Sequence, residues 1–283
     1  MKTMRLISLV IIISLTGCQR SHKNDNTGKT TVEQAEKVLA NEALDVYTNE
    51  YMVLGTLYHQ QSAEYRALCY QAYNLGRLML DKDLADKSIE KHRIVVLDID
   101  ETILDNSPYQ AQCIIDDINY PTRWDEWCNK SSAKPIAGSL EFLNYARDNG
   151  VNVYYITNRK EHLRDATLKN LKEDGFPEAE NDHLLMRTNE NSKESRRKQL
   201  SDKYHISLLF GDNLNDFTNV FESLNSNTGK MNEVDRMKAE FGSRFIVLPN
   251  SMYGDWETAL YDMNKKQPDS IKFQLRHNGL KGF

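Results

Sequence analysis

Arg93–Tyr109 reads RIVVLDIDETILDNSPY, and its reading decides the fold. Ile94, Val95, Val96 and Leu97 form a short apolar run rich in β-branched residues, the pattern of a strand buried on both faces. Asp98 and Asp100 follow at once, then Glu101 and Thr102. Acids at the end of a buried strand are costly unless something pairs with them. A divalent cation and a phosphoryl group would both do so.

Working outward, the same strand-then-polar-cluster pattern returns. Val151–Ile156 is a second apolar run and ends at Thr157-Asn158-Arg159. His183–Met186 is a third. Ile206–Phe210 is a fourth and ends at Gly211-Asp212-Asn213, with Asp216 close behind, and Arg244–Leu248 is a fifth. Between them lie helical stretches: Gly138–Asn149, closed by Gly150; Glu161–Asp174, closed by Gly175; Lys193–Tyr204; and Met231–Phe241. A further helix starts near Asp255, and a polar tail follows. Strands alternating with helices predict an α/β fold, a parallel Rossmann-like sheet with right-handed crossovers and helices on its faces. Ligands of such sheets bind outside the carboxyl ends of the strands, so one site can receive all three polar clusters.

The segment before the central strand is helical. Val46, Tyr47, Met52, Val53, Leu57 and Tyr58 recur at three-and-four spacing, and two helices are predicted over Val32–Leu80 with a break near Gln60–Ala63. Their apolar residues suit a homodimer or, equally, an intramolecular cap. Between Ser107-Pro108, read as a turn, and Pro135, the chain has weak periodicity but carries Tyr109, Tyr120, Trp124 and Trp127. This stretch is expected to cover the mouth of the site.

The first residues have the look of a targeting segment. Lys2 and Arg5 precede the apolar run Leu6–Leu15, which is too short to span a bilayer. The following Leu15-Thr16-Gly17-Cys18 resembles the lipobox of bacterial lipoproteins. That resemblance implies a signal peptide over 1–17, lipid on Cys18 and, with Gln19 rather than Asp next, an outer-membrane anchor. Residues 18–31 are polar and read as a tether. The remaining parts are a helical region over 32–92, an α/β core over 93–262 and a tail over 263–283, together one domain over 32–283. The formal net charge of −5 argues against a nucleic acid polymer as partner. Cys69, Cys113 and Cys128 lie in no metal-binding pattern and are expected to be buried or idle thiols. Spacing alone leaves open whether Cys113 and Cys128 pair.

The three clusters allow phosphoryl transfer. A carboxylate such as Asp98 can attack phosphorus and split one displacement into two. Mg²⁺ prefers oxygen ligands and commonly takes one or two carboxylates, a need that Asp98 and Asp212 meet. Asp100 sits where it can turn back to protonate the leaving group and later activate water. Thr157 offers a hydroxyl and Asn158 a backbone amide for phosphoryl oxygens, and a lysine would neutralise the remaining charge. Thr157 also suits the N-cap of the helix that follows. Glu101 is read as structural, and the basic run Arg196–Lys198 as a solvated helix face.

This set resembles the haloacid dehalogenase superfamily. Asp98-Ile99-Asp100-Glu101-Thr102 is similar to its first motif, Thr157 to its second, Lys193 to its third, and Gly211–Asp216 to its fourth. The lipobox, QSAEYRAL at 61–68, QAYN at 71–74, DIDETILDNSPYQ at 98–110, GDNLNDF at 211–217 and YGDWE at 253–257 resemble the class C bacterial acid phosphatases, over nearly the whole chain in order. The resemblance implies an Mg²⁺-dependent phosphomonoesterase acting on small molecules, nucleoside 5′-monophosphates among them. It implies Mg²⁺ held by Asp98, Asp212 and the Asp100 backbone carbonyl, with Asp216 in support. Lys193 joins Thr157 and Asn158 on the phosphate, and Tyr253 and Tyr109 are candidates for touching the leaving group. A phosphotransferase on the same core, and a surface lipoprotein that only binds a ligand, are the alternatives. The second fits the residues less well, since a binding protein gains nothing from Asp100 and suffers its repulsion.

Overall fold

The computed structural model describes residues 49–283. The targeting segment 1–17, Cys18, the tether and the start of the predicted helical region lie outside the described residues. Five parallel strands build the main sheet: β1 (Arg93–Leu97), β4 (Asn152–Lys160), β5 (Leu184–Arg187), β6 (His205–Gly211) and β7 (Phe245–Val247), in the order β5-β4-β1-β6-β7. β1 is central. Ile94 to Leu97 align with Asn152 to Tyr155 of β4 on one side and with Ile206 to Phe210 of β6 on the other. Its alternate residues serve two cores, as strand geometry requires. Val95 and Leu97 enter a large core on one face, while Ile94 and Val96 enter a smaller one with Leu200 and Phe217 on the other.

The break between the N-terminal helices falls where the sequence placed it. α1 (Val53–Gln61) ends at Ser62, whose hydroxyl accepts the Tyr65 N–H at 3.1 Å and caps α2 (Ala63–Ala85). Tyr65, Cys69, Tyr73 and Leu80 of α2 enter the large core, so these helices extend the domain and do not stand apart from it. Close approach is possible because α2 carries Gly76, where a Cβ would lie 2.5 Å from Cζ of Phe210. Tyr73 stacks on Phe210, and its hydroxyl donates to the Thr102 carbonyl at 2.6 Å. The helix thereby braces the turn that follows β1.

Several local expectations are corrected. Ser107-Pro108 is no turn; it opens α3 (Ser107–Ile115), where a proline in the first turn forgoes no helical hydrogen bond. The weakly periodic insertion holds α3 and α4 (Trp124–Lys130), and its base is closed by a short antiparallel pair, β2 (Leu104–Asp105) with β3 (Lys134–Pro135). α5 (Ser139–Asp148) precedes β4 as expected, but β4 runs on through Thr157 to Lys160. Thr157 is therefore inside a strand and caps no helix. A short 3₁₀ turn then leads into α6 (Arg164–Glu173).

α7 (Glu194–Lys203) matches its expected place. Its Arg196 and Arg197 are buried, not solvated: Arg196 donates to the Thr157 carbonyl and the Asn158 side chain, and Arg197 to the carbonyls of Asn215 and Asp216. Arg196 thereby ties α7 to the end of β4, and Arg197 ties it to the turn that follows β6. The helix expected at Met231–Phe241 is shifted to α8 (Asn227–Arg236), because the Ser226 hydroxyl caps the Gly229 N–H. α9 (Asp255–Thr258) follows β7, and the expected polar tail contains α10 (Asp269–Asn278). Cys69, Cys113 and Cys128 are buried free thiols. No helix among the described residues is long and apolar enough to cross a membrane.

Candidate active site

The carboxyl ends of β1, β4 and β6 meet at a cavity of about 720 Å³ that reaches Asp98, Asp100, Asn158, Lys193, Asp212 and Asp216. Asp98 follows β1 directly, its N–H donating to the Phe210 carbonyl at 3.0 Å. That bond ties the start of the first acidic cluster to the strand that carries the last. Carboxylate oxygens of Asp98, Asp212 and Asp216 lie within 4.8 Å of one another.

Lys193 holds this group together. Its ammonium is buried, contacts Asp98 and lies 2.6 Å from Asp216. Burial works against its charge, but the carboxylates of Asp216 and Asp98 outweigh that and keep its pKa above the ordinary lysine value. Asp216 also accepts the Asn213 N–H at 3.0 Å. One of its oxygens thus serves the lysine and the other the loop. Asp212 accepts from the Asn250 amide at 2.8 Å, and the Thr102 hydroxyl sits 3.4 Å from Asp212 and 3.5 Å from Asp98.

The donors fit a hard divalent cation. The clustered groups are oxygen ligands only, without sulfur or imidazole. Burial pushes Asp98 up to about 7, with repulsion from Asp216 and Asp100 adding to it and Lys193 opposing. Burial, then Asp216 and Asp98, push Asp212 well above the carboxylate range. Two carboxylates so placed are stabilised as anions when a cation joins them.

Asp100 stands apart from that cluster. One of its oxygens accepts two N–H bonds from Arg159, at 2.8 and 3.0 Å, and one from the Asn106 amide at 2.9 Å. Arg159 is fully enclosed, and it also donates to Thr167 at 3.3 Å. Burial opposes its charge, yet Asp100 more than offsets this and its pKa stays raised. Glu101 is buried with φ +58 and accepts the Asn106 N–H at 2.8 Å. Burial, then Asp100 and Asp212, hold it well above the usual carboxylate range. It orients Asn106, which in turn orients Asp100.

Thr157 is buried beside this group, its hydroxyl accepting the Arg159 N–H at 3.0 Å. Asn158 is fixed by Arg196 at 2.8 Å and donates to the Asn191 carbonyl at 2.9 Å. Tyr109 and Tyr253 both line the cavity. The Tyr109 hydroxyl is already committed to the Thr122 carbonyl at 2.9 Å, and its ring packs edge-on against Trp124. Tyr253 has no such commitment among the described residues.

Sequence reasoning missed Arg159, Asn106 and Asn250. A signal existed for Arg159. It lies two residues beyond Thr157, so a strand that continued would place both side chains on one face. Asn106 and Asn250 carry no comparable local mark.

A parallel sheet with paired acids at its central strand, a lysine bridging to the fourth motif and a large cavity above defines a phosphohydrolase core of the haloacid dehalogenase type. The family model for HAD superfamily subfamily IIIB (acid phosphatase) matches residues 13–256, and the chain belongs to that family. It is similar to the class C acid phosphatase from Bacillus anthracis at 45% identity and a TM-score of 0.80, over 84% of this chain and 99% of that one. A structure of that phosphatase with tungstate bound matches at 46% identity and 0.80, over 83% and 98%. Acid phosphatase 1 of Solanum lycopersicum is 28% identical over 145 residues, 50% of this chain and 51% of that protein. The stem 31 kDa glycoprotein of Glycine max is 26% identical over 177 residues, 60% and 62%. The matches thus span about half to three-fifths of the length of these curated relatives.

Proposed function

We propose that the chain is a divalent-metal-dependent phosphomonoesterase that works through an aspartyl-phosphate on Asp98, with nucleoside 5′-monophosphates as its preferred substrates. The observation that carries this is the division of labour between two buried acids. Asp98 is held by Lys193 beside Asp212, while Asp100 is turned to Arg159 and Asn106, and both open into one cavity.

In the first step an Asp98 oxygen bonds to phosphorus and the ester P–O bond breaks. Asp100 gives its proton to the departing alcohol oxygen. In the second, Asp100 takes a proton from water, the water oxygen bonds to phosphorus, and the Asp98–phosphorus bond breaks to release inorganic phosphate. Lys193 and the Thr157–Asn158 segment hold the transferred oxygens. Mg²⁺, held by Asp98, Asp212 and the Asp100 carbonyl, would supply charge neutralisation. Asp216 orients Lys193. Tungstate, bound by the Bacillus anthracis phosphatase, is a tetrahedral oxyanion like phosphate, which supports an oxyanion pocket here. Tyr120, Trp124 and Tyr253 on the cavity wall offer aromatic faces for a base, and the volume admits a nucleoside. By the same proposal the protein is anchored in the outer membrane through lipid on Cys18, a reading supported by the resemblance of Leu15–Cys18 to a lipobox.

The test is phosphate release by protein lacking residues 1–18, with Mg²⁺ and after chelation, from nucleoside 5′- and 3′-monophosphates, sugar phosphates and an aryl phosphate. Metal-dependent release, fastest for the 5′-nucleotides, is expected. A folded, Mg²⁺-binding protein that released none would overturn the enzyme reading.

A further inference from the structure

The guanidinium groups around the cavity differ in how they are used. Arg159 is paired with Asp100, Arg196 binds the Thr157 carbonyl and Asn158, and Arg197 binds Glu194 and two carbonyls. Arg187 is the exception. It ends β5 at the carboxyl edge of the sheet, aligned with Lys160 next to Arg159, and it lines the cavity half-buried. Its hydrogen bond goes to a neutral group, the Asn191 side chain at 2.5 Å, and it forms no ion pair among the described residues.

The acids nearby are engaged elsewhere. Glu222 accepts from the Ser192 hydroxyl at 2.8 Å, Glu190 from the Ser195 hydroxyl, and Asp100 from Arg159 and Asn106. Arg196 adds a like charge within electrostatic range of Arg187. An unpaired guanidinium in such a wall is poised for an anion from outside the protein. Its position identifies which anion. The transferred phosphoryl group belongs to Asp98 and Lys193. Arg187 lies instead at the Asp100 edge of the site, since it is in register with Lys160, the chain neighbour of the Arg159 that binds Asp100. A leaving group protonated by Asp100 passes along that side.

We propose that Arg187 adds a preference among esters that share one leaving-group skeleton, favouring the member that bears a second anion, a carboxylate or a second phosphate; among nucleotides that member is a nucleoside bisphosphate. This rests on the phosphomonoesterase reading and names a substrate class for it.

Three esters on one ring test it: phenyl phosphate, 3-carboxyphenyl phosphate and 1,3-phenylene bisphosphate, with wild-type, Arg187→Gln and Arg187→Lys protein. The wild type should favour at least one dianionic arm, and Arg187→Gln should lose about tenfold in kcat/KM on that arm, the size of one partly solvated charged hydrogen bond. Phenyl phosphate should change little, and Arg187→Lys should recover part of the loss. The arm that responds tells carboxylate from phosphate. An equal loss on all three esters would assign Arg187 to the transferred phosphate and overturn the proposal, as would no loss on any. Calorimetric binding of phenylphosphonate against 3-carboxyphenylphosphonate reads the same preference without turnover. A wild type that hydrolyses nothing would refute the enzyme reading, while this ratio would still decide the role of Arg187.

Discussion

Arg159→Met removes the guanidinium that fixes Asp100 and keeps an apolar side chain in place of the arginine stem. The lost contacts are two charged hydrogen bonds to Asp100, at 2.8 and 3.0 Å, one to Thr167 at 3.3 Å and one to the Asn106 side-chain oxygen at 3.4 Å. Breaking a buried ion pair from one side costs about 3–5 kcal/mol. The Asp100 side chain is 20% exposed and keeps its bond from Asn106, so the lower end, about 3 kcal/mol, is expected. A chain of this size should then lose roughly 6–12 °C in melting midpoint. The kinetic effect is the sharper reading. Freed from its fork, Asp100 no longer presents its proton at a fixed place, and misplacement of that kind costs about 100-fold where proton transfer matters. It matters for an alkyl phosphate and little for 4-nitrophenyl phosphate, whose leaving group departs as a stable anion. Measured well below the melting midpoint, kcat/KM reports events up to leaving-group departure. It should fall about 100-fold for the alkyl ester and only a few-fold for the aryl ester. Arg159→Lys, which keeps charge but not the fork, should lie between. Equal losses on the two esters would refute Asp100 as the general acid that Arg159 positions.

Asp98→Asn should abolish turnover and leave the fold intact, as checked by phosphate release and circular dichroism. It should also change the pH dependence of stability in metal-free protein. The folded state holds the Asp98 proton up to about 7 against an ordinary value of 3.8, so the wild type loses stability as pH rises between those values. Melting curves of the Asn variant should be flatter there, and an unchanged slope would dismiss the desolvated carboxylate as its cause. Gly211→Ala would set a Cβ on that of Asp216 and displace the carboxylate that seats Lys193. A roughly tenfold loss of metal affinity by titration calorimetry is expected, with secondary structure retained. Chelation should remove activity reversibly, with Mg²⁺ restoring it. For the anchor, Cys18→Ser should abolish incorporation of labelled fatty acid and move the protein out of the detergent phase; labelling that persists would place the lipid elsewhere.

The sheet was legible because its central strands are buried on both faces, and a doubly buried strand is mostly apolar. Ile94–Leu97 and Ile206–Phe210 could hardly be anything else. The misread pieces are those where a local signal has two meanings. Ser-Pro marks a turn or the first turn of a helix, and only the contacts of Tyr109 and Cys113 behind Pro108 decide between them. The polar residues after Ile156 read as the end of the strand that starts at Val151. Yet the buried Thr157 carbonyl is met by Arg196 and the buried Arg159 guanidinium by Asp100, partners that no window of sequence contains.

The same asymmetry explains the site. Its acids announce themselves, because a carboxylate directly after four apolar residues is locally anomalous. Its cations do not, because arginine near a helix end is ordinary on a surface. Arg196 and Arg197 look solvated for that reason, and Arg159 reads only as part of a polar strand end. The structure shows them buried among carbonyls and carboxylates, where each offsets a cost created elsewhere in the chain. A cluster of acids in a buried position therefore calls for a search for the guanidinium that tolerates it. Arg187 inverts that rule. Here a cation is present and its acid is absent from the described residues, so its complement is to be sought in the substrate.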